Sequence, residues 1–326
     1  MKKLLRINAL QKHYQTKGLF GEKNTIKAVD GVSLEVEEGS TLGIVGESGC
    51  GKSSLAKTIL GIEELTGGSI YIGDQNLSEV DRSSKCALIQ MIFQDPYNSL
   101  NPRKKAWELV GAPLIIQGKL SKEEVFNKSV EAMELVGLTK EMANRYPHMF
   151  SGGQRQRIGI ARALVTKPKV IICDEPISAL DVSIQAQIIN LLKKLQKELN
   201  LTYIFIGHDL SVIQYIAHEV AVMYLGRIIE YSSVDNVFNR PAHPYTKALI
   251  ASSPVVDLEK TIDDFEVIEG ELPSPATPPS GCHFHSRCKE AFLECKGNYP
   301  SEFDLGQHYV RCHLYSPDKA TISSIE

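Results

Sequence analysis

The segment Gly46, Glu47, Ser48, Gly49, Cys50, Gly51, Lys52, Ser53 limits the possible folds of this chain more than any other. It fits G-x-x-x-x-G-K-[ST], follows the apolar run Leu42, Gly43, Ile44, Val45, and opens a helical pattern. A strand, a glycine loop and a helix in that order make an anion cradle. The glycines let backbone N–H groups turn inward around phosphate oxygens, and the helix N-terminus adds positive potential. Lys52 is placed to reach β- and γ-phosphates, Ser53 to hold Mg²⁺, and Ser54 to continue the same helical turn. Residues 46–54 are the candidate nucleotide-binding segment.

The surrounding pattern supplies the fold class. Residues 42–45, 170–173 and 203–206 are apolar runs of strand length, each ending at glycine or polar residues. Helical patterns alternate with them, which predicts an α/β fold with a mainly parallel sheet and catalytic loops at the strand ends. Ile184, Ile188, Leu191, Leu192, Leu195 and Leu199 predict an amphipathic core helix over 182–199. Residues 121–165 are helical with no strand between them, as in an inserted helical subdomain, placed at about 95–165. The 326 residues exceed one ordinary domain. The texture changes near 240, where prolines 273, 275, 278 and 279 lead into a cysteine-rich window. The division expected is 1–240 and 241–326.

Composition excludes several classes. A net charge of -3 lacks the basic surplus that binds nucleic acid. No run approaches the roughly 18 apolar residues of a membrane span. Arg6, Asn8, Gln11 and Lys12 break the N-terminal segment, so it reads as a first strand rather than a signal h-region.

Three further groups suit phosphate chemistry. Asp174 and Glu175 follow a strand, Asp174 suited to the Mg²⁺ shell and Glu175 to activating water, although an isolated acid pair also occurs in solvated turns. His208 follows the next strand, where spacing alone leaves a catalytic and a structural role open. Ser151, Gly152, Gly153, Gln154 and Arg155 open a helix whose buried stripe is Ile158, Ile160, Ala161 and Leu164. By itself that start is an anion site or a hinge.

With Gln94 and the segment Ser178, Ala179, Leu180, Asp181, these elements stand in the order and spacing of the ATP-binding-cassette superfamily, which the sequence resembles. The resemblance implies a P-loop NTPase fold in which Gln94 senses Mg²⁺, Asp181 lies at a dimer interface and His208 is the switch histidine. It also implies an aromatic stacked on adenine; Tyr14 is the best-placed candidate, beside an insertion at 15–27. In such cassettes two domains dimerise head to tail, so that Ser151 to Gln154 cap ATP held by the partner. Catalytic Lys52, Gln94, Glu175 and His208 are all present, which implies hydrolysis.

Residues 95–102, 146–151, 243–245 and 270–275 resemble, more narrowly, the ATPases of oligopeptide and dipeptide importers. That resemblance implies a second related ATPase subunit, two membrane permease subunits docking near residues 94–103, an extracytoplasmic solute-binding protein, and a peripheral place on the cytoplasmic face of the inner membrane. Nickel, glutathione or haem are the alternative cargoes. A soluble cassette acting on DNA or ribosomes and a non-enzymatic nucleotide-binding subunit are the rival classes.

Four of the seven cysteines, Cys282, Cys288, Cys295 and Cys312, are separated by five, six and sixteen residues, without the paired C-x-x-C knuckles of most zinc sites. A [4Fe–4S] cluster, as in members of the family resembled, zinc aided by His283, His285 or His313, and plain packing thiols are the three readings. Cys50, beside Lys52 at a helix start, is expected to favour thiolate, so that its alkylation blocks ATP binding.

Overall fold

A computed structural model describes residues 2–17, 23–95, 99–252 and 270–317. The chain begins with β1 (Lys3–Lys17), β2 (Lys23–Glu37), β3 (Thr41–Val45), α1 (Lys52–Ile59), β4 (Gly67–Ile72), β5 (Gln75–Asn76), α2 (Arg82–Leu88) and β6 (Ile89–Ile92). It continues with α3 (Ala106–Val110), α4 (Ala112–Gln117), α5 (Lys122–Leu135), α6 (Gly152–Leu164), β7 (Val170–Asp174), α7 (Val182–Leu199), β8 (Thr202–Ile206), α8 (Leu210–Ile216), β9 (Glu219–Tyr224) and β10 (Arg227–Ser233). It closes with α9 (Val234–Asn239), α10 (Pro244–Ala251), α11 (Glu294–Gly297), β11 (Phe303–Asp304) and β12 (Tyr309–Val310).

Strands β3, β7 and β8 are buried along their whole length, which is why they read as unbroken apolar runs. They lie in one sheet ordered β11-β12-β10-β9-β3-β8-β7-β6, parallel from β9 to β6. The two-residue period of each strand divides the core. Ile171, Cys173, Tyr203 and Phe205 pack on the face shared with the helices, while Val170, Ile172, Ile204 and Ile206 pack toward the second sheet. That second sheet is antiparallel, ordered β2-β1-β4-β5. The insertion at 15–27 lengthens the β1–β2 hairpin, with Gln15 opposite Thr25; residues 18–22 lie outside the described residues.

Among the described residues of 95–165 no strand interrupts the helices α3 to α6. Helix α5 starts on a capping box in which Ser121 and Glu124 satisfy each other's backbone N–H. The stripe of α6 is buried as its spacing predicts. In α7, Ile188, Leu192 and Leu195 reach the core, but Leu199 remains 43% exposed in the last turn, where the helix ends on left-handed Asn200. At the start of that turn Gln196 instead faces inward and donates to the Thr41 hydroxyl at 2.8 Å.

The chain after 240 returns to the main sheet: β12 pairs with β10, Glu230 opposite Val310, and β11 pairs with β12. Phe284 joins the main core, Cys282 and Cys288 pack against it, and among the described residues Ala242, Val310 and Cys312 form a separate buried cluster. The buried Glu230 carboxylate ties the join, accepting from the backbone N–H groups of Ala242 and His243 and pairing with His308 at 2.7 Å.

Candidate nucleotide-binding and catalytic site

Four neighbouring parallel strands end on one edge, and each delivers a functional group there. After β3, Gly46 and Gly51 take φ of 150° and 113°, and a Cβ on them would stand 2.2 Å from the Met223 carbonyl oxygen and 2.1 Å from that of Ala28. Only glycine fits a loop pressed this closely on neighbouring backbone. Helix α1 then starts at Lys52, which is buried and donates to the carbonyls of Gly46 at 2.7 Å and Glu47 at 2.9 Å. Ser48, Gly49 and Ser53 face outward, and the Ser53 hydroxyl bonds Asp174.

Asp174 closes β7, opposite Ile206 of β8. Burial, and then the neighbouring Glu175, push its carboxyl above the usual range; Lys52, Lys57 and Ser53 oppose that shift. Glu175 sits in the left-handed region, φ 46°, held by its N–H donating to the Ile206 carbonyl. A non-glycine residue in that conformation at a strand end is backbone strain held by its surroundings. The Glu175 Oε2 atom accepts from Gln94 Nε2 at 2.8 Å and stands 3.4 Å from His208 Nδ1. Gln94 follows β6 and His208 follows β8, so three residues far apart in sequence meet at one carboxylate. An open cavity beside it is lined by Glu175, Ser178, Gln185, Gly207 and His208.

Other expected residues lie elsewhere. Ser151 caps α6, its hydroxyl accepting from the Gln154 N–H at 3.3 Å while Gln154 Oε1 accepts from the Ser151 N–H. Gly153 is required by packing, since a Cβ there would stand 2.7 Å from Ile184. Asp181 begins α7 with no side-chain cap bond and is exposed, as is Val182 at 81%. Tyr14 lies at the α1 end of the loop, its hydroxyl bonded to Glu63 and 3.3 Å from the Ser54 hydroxyl. In the expected docking stretch 94–103, residues 96–98 lie outside the described residues.

Cys50 corrects one expectation. It is 1% exposed, and burial pushes its thiol up despite Lys52 at 3.7 Å. Desolvation outweighs the nearby cation, so the residue is a packed thiol rather than a thiolate.

Comparison with known proteins bears directly on this geometry. Residues 29–178 match the family described as ABC transporter, and residues 229–295 the oligopeptide/dipeptide transporter, C-terminal region. The chain is 48% identical to the dipeptide transport ATP-binding protein DppF of Escherichia coli, over 97% of this chain and 96% of that protein. The chain belongs to the ABC transporter ATP-binding family. The oligopeptide transport ATP-binding protein OppF of Escherichia coli is likewise 48% identical, over 97% of each chain. Among solved structures, the dimeric post-hydrolysis state of the ATP-binding cassette MJ0796, bound to ADP and Pi, has a TM-score of 0.62 at 30% identity and covers 71% of this chain.

The cassette's C-terminal region places Cys282, Cys288, Cys295 and Cys312 around one small cavity, with His243, His285 and His313. His243 Nδ1 accepts from the Tyr245 N–H, so its other nitrogen carries the proton; that Nε2 is buried without a partner among the described residues. Burial pushes Cys282 up to about 11 and Cys312 up to about 12. Among the described residues no three His, Cys, Asp or Glu side chains form a group that could hold a metal ion. His283 faces away from the cavity, against Tyr299 at 4.9 Å.

Sequence reasoning missed two supports of the phosphate loop. Glu47 N–H donates to the Tyr245 hydroxyl at 2.8 Å, and the Glu47 carboxylate pairs with Arg287 at 2.8 and 3.0 Å. Both partners come from the C-terminal region. The proximity of Arg287 to Cys288 in sequence gave no signal of it.

Proposed function

We propose that this cassette ATPase energises import of dipeptides or short oligopeptides, as the nucleotide-hydrolysing subunit of a membrane complex. The supporting observation is likeness along nearly the whole length to peptide-transport ATP-binding proteins, C-terminal region included. Glu175 is the general base: its carboxylate is fixed by Gln94 at one side and faces His208 at the other, so it can orient and deprotonate water while His208 donates to the γ-phosphate. Lys52 shifts from the loop carbonyls to the phosphates, since the same ammonium satisfies either set of oxygens. Residues 46–54 cradle the phosphates and the Tyr14 ring stacks on adenine. Ser53, Gln94 and Asp174 are the Mg²⁺ ligands, and the ion supplies charge cancellation on the β- and γ-phosphates. Exposed Ser151, the α6 N-terminus behind it and Asp181 face a second cassette, completing its site from across the dimer.

The partner is a related ATPase, under two permease subunits that dock near 94–103 and receive cargo from a solute-binding protein. No described helix is long and apolar enough to cross a membrane, so the place we propose is peripheral, on the cytoplasmic face. Residues 241–326 form a cysteine-rich extension whose four thiols hold a [4Fe–4S] cluster. The four cysteines share one cavity, and the orphaned His243 N–H lines it as a donor to sulfur.

Uptake by proteoliposomes containing the complete complex tests the cargo. ATP-dependent accumulation of labelled dipeptide is expected. Accumulation of glutathione, haem or a nickel chelate instead would replace the cargo and leave the motor.

A further inference from the structure

The phosphate loop carries an acid where an anion must bind. Glu47 is the second residue of the loop: its backbone carbonyl accepts from the Lys52 ammonium, and its carboxylate charge acts on the Cys50 thiol and the Tyr245 hydroxyl of the same site. An uncompensated carboxylate on that loop opposes a triphosphate. Its charge is met by a residue 240 positions away: Arg287, whose side chain is 7% exposed, places one guanidinium nitrogen 2.8 Å from Oε2 and the other 3.0 Å from Oε1. The forked geometry is the strong form of the pair. The Tyr224 hydroxyl, 3.3 Å from the same guanidinium, and the Tyr245 hydroxyl on the Glu47 N–H complete the brace. Leu272, from the same C-terminal segment, stands 3.7 Å from where a Cβ of Gly49 would be.

We infer that Arg287 is a positioning residue of the nucleotide site, which cancels the charge of Glu47 so that the loop can accept a polyphosphate. The C-terminal region thereby sets nucleotide affinity without touching the nucleotide. The inference rests on the assignment of residues 46–54 as the phosphate cradle and is independent of what the cysteines hold.

The test is the dissociation constant of Mg²⁺–AMP-PNP for the full chain, measured by calorimetry at roughly 50 and 300 mM salt. Arg287→Ala should weaken binding roughly tenfold at low salt and clearly less at high salt, since the exposed carboxylate is screened. The double variant Arg287→Ala with Glu47→Gln should recover affinity to within about threefold of the parent. Arg287→Lys, which keeps the charge but not the fork, should lose part of the affinity, clearly less than about tenfold. Unchanged affinity in Arg287→Ala, or a double variant as weak as the single, would overturn the inference; so would a Lys variant weakened about tenfold or more against the parent, a comparison that stands where Arg287→Ala does not fold. Absence of nucleotide binding in the parent would instead overturn the cradle itself.

Discussion

At the scale of single residues, chemistry was legible where local sequence dictates it and hidden where burial does. The glycines of the loop, Lys52 and the acids after β7 follow from strand, turn and helix order. The thiol of Cys50 does not, because its burial comes from Met223 and the folded loop itself. Iodoacetamide should therefore label half-buried Cys86 well before Cys50 in the folded chain, as read by peptide mass spectrometry. Equal labelling would restore the thiolate. Tyr14 makes a separable claim: its hydroxyl is already engaged by Glu63 and Ser54 and the Lys12 ammonium stands 4.9 Å from its ring centre, so adenine would stack on the opposite ring face. Tyr14→Ala should weaken Mg²⁺–ATP binding by roughly fivefold, and Tyr14→Phe should retain it. The reverse pattern in equilibrium binding would remove Tyr14 from the adenine pocket.

Among the elements, periodicity predicted β3, β7, β8, α6 and α7, and it failed at the end of a helix. Leu199 belongs to the stripe of α7 by spacing, yet it is the last helical residue, before left-handed Asn200, and stays exposed. Helix α10 shows a different dependence, since its N-cap is His243, fully buried and taking the Tyr245 N–H. Burial pushes this imidazole down to about 4 from an ordinary 6.5. A folded value below the unfolded one means the contribution is whole above pH 6.5 and is lost as pH falls toward 4, to a total of about 3 kcal/mol. Urea unfolding between pH 7 and 4.5 should show that loss, and His243→Gln should flatten it. A parent slope equal to that of the variant would assign the acid sensitivity elsewhere.

For the whole molecule, the α/β fold and the nearness of the Lys52 loop, Glu175 and His208 followed from strand order, because parallel strands end on the same side, whereas Gln94 came only from the family resemblance, the strand before it being unread in the sequence. The seating of the C-terminal region followed from neither. Its contacts with β10 and with Glu47 join segments whose sequences carry no mutual signal. If its thiols hold a cluster, anaerobically purified protein should be brown and contain about four irons, and Cys282→Ser should lose most of both. Colourless, iron-free parent protein would reduce the cavity to packing. Hydrolysis of ATP with Glu175 as base is read by steady-state phosphate release from the assembled complex. Replacing Glu175 by Gln in this chain should lower turnover by roughly 10²-fold or more while nucleotide affinity stays within about threefold. Turnover undiminished by that substitution would contradict the account.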